Sequence, residues 1–451
     1  MNNTIAAIST PHGIGGIAVV RLSGPDARAI ASRHVSLPPQ AGAVRFTPFR
    51  IGDTLLDEVV VTLFLAPHSY TGQDTVEFSC HGSLYIQQAL LQALLDSGAR
   101  LAEPGEFTRQ AFLSGRLNLS QAEAVADLID STNAASHRLA VSQLRGGYAK
   151  ELEQLRQQLV DLTALLELEL DFSDEDVEFA DRSQLISLVS QTSTRVKALR
   201  DSFHMGNALK RGIPVAIIGR PNAGKSSLLN ALLRDNRAIV SDIPGTTRDT
   251  IEETFVIKGI PFRIIDTAGL RHSDDPIEFL GIQRTIETVV QADIILYVHD
   301  ATQPFVQALD DLQELQDIRS FDGKHLFIVH NKIDKCVKPI HELTHSQINT
   351  LEISAKEGYG LDTLTETLAN TAHTELAHAP DVMLTNVRHY NALGQVDQAL
   401  LNVAKSLTNG LSADLVVIDL RDALHHLGTI TGQVTTDEVL GTIFSRFCIG
   451  K

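Results

Sequence analysis

Apolar positions recur along the chain with periods that change three times. In residues 1–118 they alternate with polar ones or bunch into short runs: Ile17-Ala-Val-Val-Arg-Leu22 and Val59-Val-Val-Thr-Leu-Phe64 predict strands, and Leu84 to Leu95 predicts a helix. From Leu119 the spacing becomes helical. Leu152, Leu155, Leu159, Leu162 and Leu166 stand three and four apart, which places one leucine stripe along a long helix as a bundle core or a partner seam. Between 212 and 373 short apolar strands alternate with helices, the pattern of a doubly wound α/β domain. Beyond Pro380 the helical period returns in Val387, Leu393, Val396, Leu400, Val403 and Leu407, and again from Leu415 to Leu427. The expected division is therefore 1–118, a small α/β domain; 119–211 and 374–451, two parts of one discontinuous helical bundle; and 212–373, an α/β domain inserted between them. Insertion requires only that the points where the chain enters and leaves the inserted domain be neighbours.

The 451 residues, 43% hydrophobic and 21% charged, have ordinary globular composition, which excludes a disordered or fibrous chain and suggests two to four domains. No apolar run approaches the roughly 18 residues of a membrane span, and Met1-Asn2-Asn3-Thr4 lacks the cationic stretch of a signal peptide. Cys80, Cys336 and Cys448 are odd in number and far apart, so neither a disulfide framework nor a CxxC metal site is written here, and a reducing cytoplasm is the expected location. The formal net charge is −17, of which 212–373 carries −8, and no segment is a basic arm. Such a balance argues against a general phosphate binder. The densest acidic stretch, Asp171 to Asp181 with Asp174, Glu175, Asp176 and Glu178, lacks the Gly-punctuated alternation of a calcium loop and reads as a solvated connection.

Chemistry concentrates after the strand Val215-Ala-Ile-Ile218. Gly219-Arg220-Pro221-Asn222-Ala223-Gly224-Lys225-Ser226 is GxxxxGKS between a strand and the helix that begins with Ser227, which is the context a phosphate-binding loop requires. Backbone N–H groups and the helix N-terminus wrap phosphates, Lys225 reaches the β and γ oxygens, and Ser226 ligates Mg²⁺. Asp266-Thr267-Ala268-Gly269 follows a second strand, with a carboxylate for the Mg²⁺ shell and a glycine N–H for the γ-phosphate. Asn331-Lys332-Ile333-Asp334 follows a third. There Asp334 can accept both the N1–H and the exocyclic amine of guanine, a donor pair that adenine lacks, and a site built to bond a group rejects an analogue without it by roughly 10⁴ or more. Ser354-Ala355-Lys356 supplies the last base-contacting loop. A Gly-rich turn without a ligand would not bring three further motifs in this order, and the spacing predicts a GTPase.

Two absences narrow its mechanism. Leu270 stands where small signalling GTPases carry a water-orienting Gln, leaving Asp274, Asp275 and Glu278 as acidic candidates on the following loop, each also readable as a surface acid. No arginine finger is evident, yet some cation must offset charge developing between the β and γ phosphates. Asn222 is a neutral oxygen donor suited to a monovalent cation, and Ser241-Asp242-Ile243-Pro244-Gly245-Thr246-Thr247 can close over it with backbone carbonyls while Thr247 ligates Mg²⁺. K⁺-stimulated hydrolysis follows as an expectation.

Beyond the nucleotide motifs the chain carries Ser69-Tyr-Thr-Gly72, Glu103-Pro-Gly-Glu-Phe-Thr108, Gln121-Ala-Glu-Ala-Val-Ala-Asp-Leu-Ile129 and the terminal Phe447-Cys-Ile-Gly-Lys451. On these residues it resembles, over its whole length, the tRNA-modification GTPase family MnmE (TrmE). The resemblance implies a G domain that is inserted in a helical domain and activated when two G domains meet. It implies GTP hydrolysis coupled, with an FAD-dependent partner called MnmG (GidA), to placing a carboxymethylaminomethyl group at C5 of the wobble uridine of certain tRNAs. It also implies an N-terminal domain that dimerises and binds a tetrahydrofolate derivative of the 5-formyl or 5,10-methylene type, with Arg21, Glu77, Arg116 and Lys451 at the folate-contacting positions. Arg116 stands where many members have Lys, and Pro11-His-Gly-Ile-Gly-Gly16 replaces the usual PPGRGG. The same resemblance assigns Glu278 as the water-orienting catalytic residue and Asn222, Ser241, Ile243 and Thr246 as the K⁺ loop, and it sets Cys448 near the folate end of the helical domain as a possible thiol nucleophile. Cys80, beside His81 at a strand end, is expected to pack rather than react. With −17 on the chain, tRNA affinity is expected to come mainly through the complex with the partner. The alternative reading is a ribosome-assembly or signalling GTPase of related G domain, but the basic, KH-like or second G domain typical of such proteins is not written in this sequence.

Overall fold

The structure is a computed structural model that describes residues 4–171, 182–236, 253–265, 286–318, 321–336, 349–377, 382–445, 447, 448 and 450. The chain folds as two compact units, Met1–Ile129 with Gln143–Thr192 and Gln395–Lys451, and Asp130–Ser142 with Ser193–Gly394.

In the first unit, strands β1 (Ile5–Ile8), β2 (Ile17–Ser23), β3 (Val44–Ile51), β4 (Thr54–Phe64), β5 (Thr75–His81) and β6 (Arg100–Leu101) form one sheet in the order β3-β4-β5-β2-β1-β6. Alternation along β4 explains how it is held: Asp57, Val59, Val61 and Leu63 are buried, whereas Glu58 and Val60 are exposed. The inward residues pack with Phe49, Phe78, Val20 and Leu22, and with Leu90, Ala93 and Leu94 of the helix Leu84–Asp96. The opposite face carries apolar residues in the open: Val44 and Phe46 on β3, with Phe46 in register with the exposed Val60 of β4.

The leucine stripe lies on the helix Gly147–Asp171, and all five leucines are buried. They face the helix Ala413–Thr431, which buries Val416, Val417, Leu420, Leu427 and Ile430. Segments from before and after the α/β domain thus build one bundle, as the periodicity predicts. In the stripe that begins at Val387, on the helix Val387–Thr408, Leu393 to Leu407 are buried but Val387 is half exposed, because it stands in the first turn ahead of the packed face. The chain end returns to the sheet: Gly105 N–H donates to the Cys448 carbonyl at 3.3 Å and Ser9 Oγ to the Gly450 carbonyl at 3.2 Å. Among the described residues no helix is long and apolar enough to cross a membrane, and the acidic stretch beyond Asp171, from Asp174 to Asp181, lies outside them.

In the second unit, β7 (Ile213–Ile218), β8 (Glu253–Ile257), β9 (Ile260–Ile264), β10 (Ile294–Asp300), β11 (His325–Asn331) and β12 (Asn349–Glu352) form a sheet in the order β12-β11-β10-β7-β9-β8, parallel except for the β8–β9 pair. One face packs the helices Lys225–Asn236 and Leu361–Ala377 through Leu228, Leu232, Leu364 and Leu368; the other packs the helix Val306–Ile318 through Ala308 and Leu312. This is the doubly wound arrangement. After β7 the chain passes to the edge strand β8, comes back through β9 beside β7, and then continues on the other side of β7 as β10 and β11, so the strand order reverses beside β7. In open parallel sheets the crevice at such a reversal is where ligands bind. The helical segments on either side of this domain adjoin: Leu384 N–H donates to Ser202 Oγ at 3.0 Å, and the Phe203 and Tyr390 rings lie 4.8 Å apart.

Candidate functional site

The phosphate loop follows β7 at the reversal point. Gly219 and Gly224 have φ of 138° and 99°, and a Cβ would collide with the Val298 carbonyl at the first and with the Asn331 amide at the second, so only glycine fits either position. Lys225 opens the helix, and its ammonium donates to the Gly219 and Arg220 carbonyls at 2.8 and 2.9 Å. Burial holds its pKa below the ordinary lysine value. A half-buried ammonium whose partners are neutral carbonyls is one that an anionic phosphate stabilises.

The guanine motifs are bound to this loop. Asn331, at the end of β11, donates from Nδ2 to the Ala223 carbonyl at 2.9 Å and accepts on Oδ1 from Ala355 N–H at 3.0 Å. One buried amide therefore joins the phosphate loop to the loop that carries Ser354, Ala355 and Lys356. Lys332 donates to the Asn222 carbonyl at 2.6 Å. Asp334 is exposed, its carboxylate accepting Ser354 Oγ–H at 2.6 Å; that hydrogen bond holds its pKa below the usual carboxylate value and keeps it an anionic acceptor. Asn222 has φ 61°, a left-handed conformation that Asn tolerates better than most residues. Ser226 and Ser227 occupy the first helical turn.

One anchor of this loop escapes motif reading. Arg220 turns away from the phosphate crevice, donates from Nε and Nη2 to the Asp311 carboxylate at 2.8 and 2.7 Å and from Nη1 to Gln307 at 2.8 Å, while Tyr297 Oη donates to Asp311 at 2.5 Å. The loop is thus pinned to the helix Val306–Ile318. The spacing of GxxxxGKS reserves no role for its second residue, so only the fold supplies this one. Behind the site, His299 of β10 and His330 of β11 are buried with their Nδ1 atoms 3.0 Å apart.

In the first unit Arg21 of β2 pairs with Glu77 of β5 at 2.8 Å, and its guanidinium lies 5.4 Å from the ring centroids of both Tyr70 and Phe107. Tyr70 Oη and Thr108 Oγ1 are hydrogen-bonded at 2.8 Å. Read alone, Arg21 is a strand-end surface cation; folded, it is largely buried, and the sequence motifs Ser69–Gly72 and Glu103–Thr108 converge on it. Arg116 is exposed beyond the helix Glu106–Leu113, and no contact joins it to the Arg21–Glu77 pair among the described residues. Cys448 is exposed with its carbonyl on Gly105. Cys80 packs as expected: it is buried, and burial together with Asp57 pushes its thiol up to about 11. The residues Ser241 to Thr247, Asp266 to Gly269, Asp274, Asp275, Glu278 and Lys451 lie outside the described residues.

The family model described as the MnmE helical domain matches residues 119–448, and that described as the GTP-binding protein TrmE N-terminus matches residues 4–116. Relatives bearing the name tRNA modification GTPase MnmE match from end to end. That of Christiangramia forsetii is 46% identical over 472 residues and that of Parabacteroides distasonis 48% identical over 465, with 100% of both chains covered in each case. The chain belongs to the MnmE family of tRNA modification GTPases. Family membership and the phosphate loop together make it a GTP hydrolase, with the nucleotide and Mg²⁺ dependence that such a loop carries. The MnmE helical-domain match spans both sides of the doubly wound sheet, in keeping with a bundle built from two chain segments. Tyr70, Phe107 and Thr108 gather around Arg21, and their one signal in the sequence is that they lie inside Ser69–Gly72 and Glu103–Thr108.

Proposed function

We propose that the chain is a K⁺-stimulated GTPase, activated when two of its G domains associate, that serves modification of the wobble uridine of tRNA. With an FAD-dependent partner of the MnmG (GidA) type it adds a carboxymethylaminomethyl group at C5 of uridine 34, drawing a one-carbon unit from a tetrahydrofolate derivative. In this reading 1–118 is the dimerisation and folate domain, 119–211 and 374–451 the helical domain, and 212–373 the G domain, working in the cytoplasm.

The observation that carries the reading is the joining of the phosphate loop to the guanine loop by Asn331, which makes base identity and phosphate placement one rigid unit. Lys225 binds the β and γ oxygens and Asp334 selects guanine. Ser226, in the first turn of a helix, supplies a hard oxygen fit for Mg²⁺, with Thr247 as its companion; the metal supplies charge neutralisation on the phosphates. Asn222, exposed and left-handed within the phosphate loop, is a suitable oxygen donor for K⁺ together with Ser241, Ile243 and Thr246. Glu278 orients the attacking water. At the folate site the Arg21–Glu77 pair presents a cation and a carboxylate against two aromatic rings, a donor set suited to a pterin, with Arg116 and Lys451 for the carboxylate tail and Cys448 nearby as a thiol. The uncovered apolar face at Val44, Phe46 and Val60 supports a homodimer through the N-terminal domain.

The test is hydrolysis at matched ionic strength in K⁺ and in Na⁺, in the native chain and in Glu278→Ala, with mass spectrometry of tRNA from cells lacking the protein. K⁺ is expected to accelerate turnover, Glu278→Ala to bind GTP yet lose most of that turnover, and the wobble modification to disappear. Equal rates in the two salts remove the cation role, and unchanged tRNA removes the modification role.

A further inference from the structure

Asp300 is the last residue of β10 and stands in register with Asn331, the last of β11. No nucleotide motif includes it. Its carboxylate accepts the Lys332 ammonium at 2.6 Å, and it is itself oriented by Thr302, whose backbone N–H donates to Oδ1 at 3.0 Å and whose hydroxyl donates at 2.7 Å. Burial opposes its charge, but the hydrogen bonds from Lys332 and Thr302 outweigh this and hold the carboxyl below its ordinary value. The same ammonium reaches across to the Asn222 carbonyl at 2.6 Å.

Both ends of this bridge are strained. Asn222 and Lys332, with φ of 61° and 66°, are two of the three non-glycine residues with positive φ among the described residues. A non-glycine residue persists in that region only when its surroundings fix it. A lone carbonyl holds an ammonium weakly against water, whereas a carboxylate on its far side adds an ion-paired hydrogen bond that fixes where the ammonium sits.

We propose that Asp300 is a positioning residue for guanine-nucleotide binding, acting through Lys332 to lock the left-handed Asn222 of the phosphate loop against the base-recognition loop. Because phosphate loop and base loop serve GTP and GDP alike, its loss weakens both nucleotides and falls on binding rather than on the hydrolytic step.

The test uses the full chain, with GDP affinity from a fluorescent GDP analogue and steady-state GTP hydrolysis for Asp300→Asn, Asp300→Glu, Lys332→Met and the Asp300→Asn/Lys332→Met double variant, alongside thermal melts. Asp300→Asn is expected to weaken GDP roughly tenfold and to raise KM similarly while kcat changes less than twofold. Asp300→Glu, which restores the charge, is expected to recover most of the affinity, and Asp300→Asn to add little once Lys332 is Met, because contacting residues are non-additive. Wild-type GDP affinity in Asp300→Asn overturns the proposal, as does an undiminished loss in the Lys332→Met background. A lowered melting temperature without a change in KM assigns Asp300 to stability alone and overturns it equally.

Discussion

At the scale of single residues, the fold changes what the same side chain means. Arg21 passes from a surface cation to a guanidinium held by Glu77 and two rings, and Cys80 from a thiol beside a histidine to a buried one with no tendency to ionise. His330 makes the point most sharply. Burial, reinforced by the facing His299, pushes its pKa down to about 4. Its ordinary value is about 6.5, so between these two values the unfolded chain binds the proton and the folded one does not. The stability it contributes is therefore complete above about pH 6.5 and is lost as pH falls toward 4. From pH 7 to pH 5 the native chain should lose about 2 kcal/mol more unfolding free energy than His330→Leu. Parallel denaturant titrations at the two pH values measure the difference, and identical pH slopes would contradict the assignment.

At the scale of elements, periodicity is a dependable guide where one face is buried and a poor one at ends. The leucine stripe, β2, and the helix at Leu84 are legible from spacing because burial on one face imposes a period of 3.6 or 2. Their bounds extend past the legible runs, as when Val59–Phe64 becomes Thr54–Phe64, since backbone pairing with β3 begins well ahead of the first buried valine. Leu159, 1% exposed in the middle of the stripe, should cost about 2–5 kcal/mol when replaced by alanine. Leu188, 44% exposed, should cost well under half as much. Chemical denaturation of Leu159→Ala and Leu188→Ala compares them directly.

At the scale of the whole molecule, the proposed nucleotide site reconciles the net charge of −17 with phosphate binding, since it relies on backbone N–H groups and Lys225 acting locally, without a positive field. The exposed apolar row on β3 and β4 belongs to this scale, for a monomer gains nothing by displaying it. Phe46→Asp with Val60→Asp should convert a dimer to a monomer while leaving GDP binding intact, and light scattering coupled to size exclusion reads the mass. The sequence by itself determined the order of domains, the nucleotide motifs and the choice of guanine, because glycine conformation, helix–strand periodicity and the donor pattern of a base are local matters. Only the tertiary structure decided that Asn331 joins two loops, that Arg220 is an anchor, and that two distant motifs meet at Arg21. Those contacts link residues that are between 24 and 108 positions apart, and no local pattern records which surfaces a folded chain brings together.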